Sequence, residues 1–170
     1  MAGRRQSDAT ELEAAQPAGA GGFSLGDFLP YRLSVTTNRI SRAFAERYSA
    51  RFGLSIPEWR VLAVLGSFAP LSSNEICERT AMDKAKVSRA VALLTGKGLV
   101  DRAAHPEDQR LLRLSLSPRG RGTFEAVVPI AEELEAELTA ELSAEERAVL
   151  DRCLERLGSA VGRLARPDER

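Results

Sequence analysis

Residues 72–98, SSNEICERTAMDKAKVSRAVALLTGKG, carry the pattern of two short amphipathic helices joined by a tight turn, and that pattern decides the fold. Ser72 and Glu75 have capping-box spacing, so hydroxyl and carboxylate can each satisfy a backbone N–H that a first helical turn leaves free. Ile76 supplies the inward side chain of this short helix. After the turn Thr80-Ala81-Met82, Asp83 offers a short acceptor to start the next helix, and Gly98 closes it. At 100° per residue, Val87, Ala90, Val91 and Leu94 share the inner face, while Ala85, Ser88, Arg89 and Ala92 share the outer one, flanked by Lys84 and Lys86. An outer face that is small and polar with one long guanidinium suits a helix lying deep in a major groove. Alanine can touch a thymine methyl, serine is tolerant, and arginine can address a guanine edge with two hydrogen bonds.

The next residues form a hairpin. LVDRA is followed by a polar loop, HPEDQR, and by LLRLSL, in which Leu112, Leu114 and Leu116 alternate with Arg113 and Ser115. His105, Gln109 and Arg110 stand at the tip of this wing, with Arg102 and Arg113 on its strands, an arrangement that fits a narrow, electronegative minor groove. Asp108 reads as a positioning residue for Arg110 or a neighbouring base. His105 is the single histidine and has no cluster of ligands around it, so it reads as a solvated or phosphate-contacting loop residue and no metal is expected. Ser73, at the start of the first short helix, completes the DNA-facing set.

Residues 1–24 are rich in alanine, glycine and small polar types and read as a flexible leader. A long amphipathic helix follows, with Asp27 as its cap, Pro30 in its first turn and its end near Gly53. Pro57 opens PEWRVLAVLGSF, apolar nearly all round and so expected at the centre of the core. Beyond the wing, Ser117 and Pro118 start a helix reaching about Glu141, with Pro129 inside it as an expected bend. Ser143 and Glu146 cap a last helix bearing Leu150, Cys153, Leu154, Leu157, Val161 and Leu164. The fold class is therefore mainly α with a small β-wing: a winged helix-turn-helix over 57–117, and a helical dimerisation region drawn from both chain ends, 25–56 and 118–165. The apolar stripes of the first, fifth and sixth helices exceed what one small domain can bury, which points to a homodimer.

Lysine and arginine number 24, as do aspartate and glutamate, but the charges are segregated. Nine basic residues against three acidic ones give Lys84–Arg121 a net charge of +6, whereas twelve acidic against six basic give Glu125–Arg170 a net charge of −6. A polyanion fits the first segment and a partner subunit the second; two solvated helical faces would account for the same split. The chain has no apolar run of the roughly 18 residues that a membrane helix needs, and a cytoplasmic location is expected. Cys77 and Cys153 sit among apolar residues at helical spacing and read as buried core thiols rather than redox sensors. A glycine-rich phosphate loop, a nucleophile paired with histidine and a dense carboxylate pair are all missing, so neither an enzyme nor a cofactor is expected.

GLSIPEWRVLAVLG, the LSSNEICERTAMDKAKVSRAVALLTGKGLVDR stretch, the Asp108-Gln109-Arg110 wing and LRLSLSPRGR together resemble the core of the MarR (multiple antibiotic resistance regulator) family, over about residues 27–165. The resemblance implies an interwoven homodimer that binds an imperfect palindrome in double-stranded DNA and releases it when a small effector binds, often a phenol or an aromatic carboxylate. It also implies DNA reading by Lys84, Ala85, Lys86, Ser88 and Arg89 in the recognition helix and by Asp108 and Arg110 in the wing. The oxidant-sensing branch has a cysteine near the start of its first helix, and here none precedes Cys77. Tyr31, Arg32, Arg39 and Trp59 are candidates for holding an aromatic carboxylate, through arginine pairing and ring stacking, although packing in the core or a dimer interface is the more common use of such residues. A redox-responsive regulator using Cys77 or Cys153 and a ligand-independent DNA binder remain the alternatives.

Overall fold

In the computed structural model, which describes residues 23–104 and 112–164, side chains at the helix starts take up backbone N–H groups that would otherwise be unpaired. The elements are α1 (Leu29–Phe52), α2 (Ile56–Phe68), α3 (Ser73–Thr80), α4 (Lys84–Gly96), β1 (Val100–Ala104), β2 (Leu112–Leu116), α5 (Pro118–Leu138) and α6 (Ala144–Leu164). Capping boxes open α2 through Ser55 and Glu58 and α3 through Ser72 and Glu75. Before α6, the Ser143 N–H donates to Glu146 at 2.8 Å and the Glu146 N–H to the Ser143 hydroxyl at 3.2 Å. Asp83 accepts from the Lys86 N–H at 2.8 Å, and Ser117 from the Gly120 N–H at 2.9 Å.

The chain divides into two units between Ile40 and Ser41. In the first, Ser24–Asp27 form a turn, and the Arg32 N–H donates to the Phe28 carbonyl. Phe28 rather than Asp27 therefore precedes the first helical bond, its carbonyl accepting from the Arg32 N–H, while Asp27 lies within the preceding turn. Pro30 still falls in the first turn of α1.

In the second unit the core is built around α2, which packs against α3, α4, α5 and β2. Val61, Leu62 and Leu65 of α2, with Ile76, Val87, Leu94 and Val127, have no exposed surface, and Tyr48 and Leu114 are almost as deeply buried. Burial pushes the Tyr48 phenol up to about 12, against the opposing charge of Arg60 and with a smaller push from Glu58. Two antiparallel strands form the wing, with Val100 opposite Leu116 and Ala104 opposite Leu112. Leu71 extends it at the base, exchanging backbone hydrogen bonds of 3.0 and 2.8 Å with Leu114.

Three further expectations are corrected. Of the alternating wing leucines only Leu114 is buried; Leu116 is half-buried, and Leu112, opposite Ala104 at the end of the ladder nearest the loop, is 51% exposed. The fifth helix ends at Leu138 rather than Glu141: Thr139, at φ −107° and ψ 6°, leaves the helical conformation, and the next N–H, that of Ala140, turns to the Glu137 carbonyl three residues back. Cys153 is exposed while Cys77 is half-buried against the core, since α6 buries none of its residues within the single chain. Among the described residues no helix is long and apolar enough to cross a membrane.

Candidate nucleic-acid interface

The inner face of α4 is sealed, and that fixes which side chains look outward. Val87, Ala90, Val91 and Leu94 are at most 3% exposed, whereas Lys84, Ala85, Lys86, Ser88, Arg89 and Ala92 are all exposed. Lys86 leans back on the cap, its ammonium 3.0 Å from the Asp83 carboxylate. Hydrogen bonds from the Lys86 backbone and side chain, with the charges of Lys86 and Arg89, hold the Asp83 carboxyl below its ordinary value. Lys84 and Arg89 make no ion pair among the described residues, so each presents its charge outward. Leu93, four residues beyond Arg89 and so on the same side of the helix, is 55% exposed. Sequence reasoning missed Leu93, although stepping 100° per residue from Arg89 would have placed it there.

The far end of α4 is anchored from three directions. Gly98, at φ +68°, lets the Leu99 N–H turn back to the Leu94 carbonyl and its own N–H to Thr95, the Schellman arrangement. The Lys97 ammonium donates to the Gly53 carbonyl at 2.6 Å and to the buried Glu58 carboxylate. Ser117, the cap of α5, donates its hydroxyl to the Gly98 carbonyl at 2.7 Å, and Arg119 of α5 donates to the Lys97 carbonyl at 3.1 Å. Gly120 lies so close to the Leu99 carbonyl that a Cβ would overlap it. The recognition helix and the start of α5 are thus one joint.

On the wing, Arg102 is exposed and its Nε reaches the Thr95 hydroxyl at 3.3 Å. Arg113 is half-buried and donates to Glu75 of α3 at 2.5 Å. Ser73 is half-buried in the first turn of α3. His105, Asp108, Gln109 and Arg110 lie outside the described residues.

The four effector candidates fall in different units. Tyr31, Arg32 and Arg39 belong to the first, where each is exposed. Trp59 belongs to the second and sits within an aromatic cluster, its ring 5.5 Å from Phe44, 5.8 Å from Tyr48 and 6.2 Å from Phe124 between centroids. Gly66 makes room for this cluster: a Cβ there would come within 2.7 Å of the Phe124 ring.

Residues 52–111 match the model of the MarR family. Among curated relatives, the HTH-type transcriptional repressor IacR of Pseudomonas putida is 28% identical over 137 residues, covering 75% of this chain and 81% of that one. A probable transcriptional regulator from Pseudomonas aeruginosa, of solved structure, is 35% identical with a TM-score of 0.69, and the match covers 79% of this chain and 99% of that one. A MarR/EmrR family transcriptional regulator from Acinetobacter sp. ADP1 is 27% identical with a TM-score of 0.77, over 83% and 99% of the two chains.

Proposed function

This chain belongs to the MarR family of DNA-binding, winged-helix transcriptional regulators, and from that premise we propose that it is a homodimeric repressor released from DNA by a small aromatic or phenolic effector. The observation that carries the DNA-reading part is the outer face of α4, which exposes Ala85, Ser88 and Arg89 between Lys84 and Lys86 while every inward residue is sealed. Arg89 reads a base edge, Lys84 neutralises a phosphate, and Arg110 of the wing addresses the adjoining minor groove with Asp108 positioning it or a neighbouring base.

Dimerisation is supported by α6, whose Val149, Leu150, Leu154 and Val161 are 45–63% exposed in the single chain. In this reading 25–56 and 118–165 make the interface and 57–117 bind DNA. The repressor assignment follows the name of the Pseudomonas putida relative. Tyr31, Arg32, Arg39 and Trp59 are the residues proposed to meet the effector, an arginine matching a carboxylate where the compound has one.

Binding to a library of duplex variants at two salt concentrations tests the DNA assignment. Arg89→Ala is expected to lose about 1–3 kcal/mol and to relax preference at one position per half-site. Lys84→Ala is expected to weaken all sequences alike and to flatten the salt dependence. Equal, sequence-independent losses for both variants would show that the outer face of α4 does not read bases.

A further inference from the structure

Both arginines on the described wing strands are turned toward the helices. Arg102 of β1 reaches Thr95 near the end of α4, and Arg113 of β2 reaches Glu75 in the first turn of α3. Arg113 adjoins Leu114, whose backbone is paired with Leu71, so one short stretch of β2 is tied to the body by its main chain and by a charged side chain. Glu75 is itself fixed, because the same carboxylate oxygen that accepts from Arg113 accepts from the Ser72 N–H at 2.8 Å. Hydrogen bonds from Ser72, then the charge of and hydrogen bond from Arg113, hold the Glu75 carboxyl below its ordinary value.

We infer that Arg113 is a positioning residue, not a phosphate contact: paired with Glu75, it sets the angle of the wing against the helix-turn-helix so that wing and recognition helix engage DNA together. This rests on the DNA-binding reading and adds a role for Glu75 that charge alone would not suggest. A carboxylate beside a polyanion repels it, so simple electrostatics makes removal of Glu75 favourable for binding. If the pair orients the wing, removal is unfavourable. The two accounts differ in sign.

Glu75→Gln is the informative change, since glutamine retains the capping-box acceptor for the Ser72 N–H and loses only the charge offered to Arg113. The probe is a duplex selected from a random-sequence pool by the unaltered chain. Glu75→Gln, Arg113→Gln and the double variant are compared by affinity across a salt series, with thermal unfolding to confirm that each is folded. The expected result is a similar loss in all three, about two- to fivefold as an exposed ion pair can supply, with no further loss in the double variant and an unchanged salt slope. Tighter or unaltered binding by Glu75→Gln would overturn the inference, as would a shallower salt slope in Arg113→Gln. Should Arg113→Gln fail to fold, the sign of the Glu75→Gln effect still decides. If the unaltered chain selects no duplex, the DNA-binding reading itself fails and the brace with it; selection followed by the wrong sign removes the brace alone.

Discussion

Glu58 is 3% exposed and charged, in a helix whose other buried residues are aliphatic. Burial alone would raise its carboxyl, but hydrogen bonds from Lys97 and Ser55 and the Lys97 charge outweigh it and hold the group below its ordinary value. A carboxyl lowered by folding adds stability above its unfolded value, about 4.3, and surrenders it as pH falls through the folded value. The thermal midpoint should therefore drop more steeply below about pH 4 in the native chain than in Glu58→Gln, a contrast that scanning calorimetry across pH 3–6 would register. Equal slopes would mean that the pair does not form. Lys97→Met leaves the buried carboxylate with Ser55 alone and should cost about 1–3 kcal/mol in denaturant unfolding. Neither effect was legible in the sequence, where α2 reads as apolar nearly all round, because the partner of Glu58 lies 39 residues away.

The elements whose limits were readable are those set by near neighbours. The caps at Ser72, Asp83, Ser117 and Ser143 act within three residues, and Gly98 closes α4 as its position suggested. Gly98→Ala should accordingly cost about 1 kcal/mol, the scale of forcing an L side chain to positive φ, seen as a lower unfolding midpoint with unchanged helix content. What could not be read is set by register across distant segments. Arg102 and Arg113 looked like wing charges free of partners until strand pairing and the Leu71 bridge placed them beside Thr95 and Glu75. For α6 the apolar stripe was legible but its burial was not, since the single chain supplies no surface to cover it. On the dimer reading, Leu154→Glu puts a charge into that stripe and should convert the protein toward monomer in sedimentation velocity at micromolar concentration. An unchanged sedimentation coefficient would remove α6 from the interface.

At the scale of the whole molecule the segregation of charge acquires a physical reading. The basic segment comprises α4, the wing and the start of α5, whereas the acidic segment falls on the rest of α5 and on α6. On the dimer reading, DNA is thereby attracted to one part of the chain and repelled from the part offered to a second subunit. Two-fold related recognition helices can enter successive major grooves only if their targets lie about one helical turn apart on one face of the duplex. The joint at Lys97–Gly120 ties α4 to α5, so on the dimer reading a change in how two subunits meet would carry the recognition helix with it. The most direct measurement is footprinting of the purified protein on duplexes that it selects from a random pool, with the protein-to-DNA stoichiometry determined on the same complexes. Two chains bound to an imperfect palindrome, with half-sites centred about one turn apart, is the predicted result. One chain on a single asymmetric half-site, or protection no better than on mixed-sequence DNA, would contradict it.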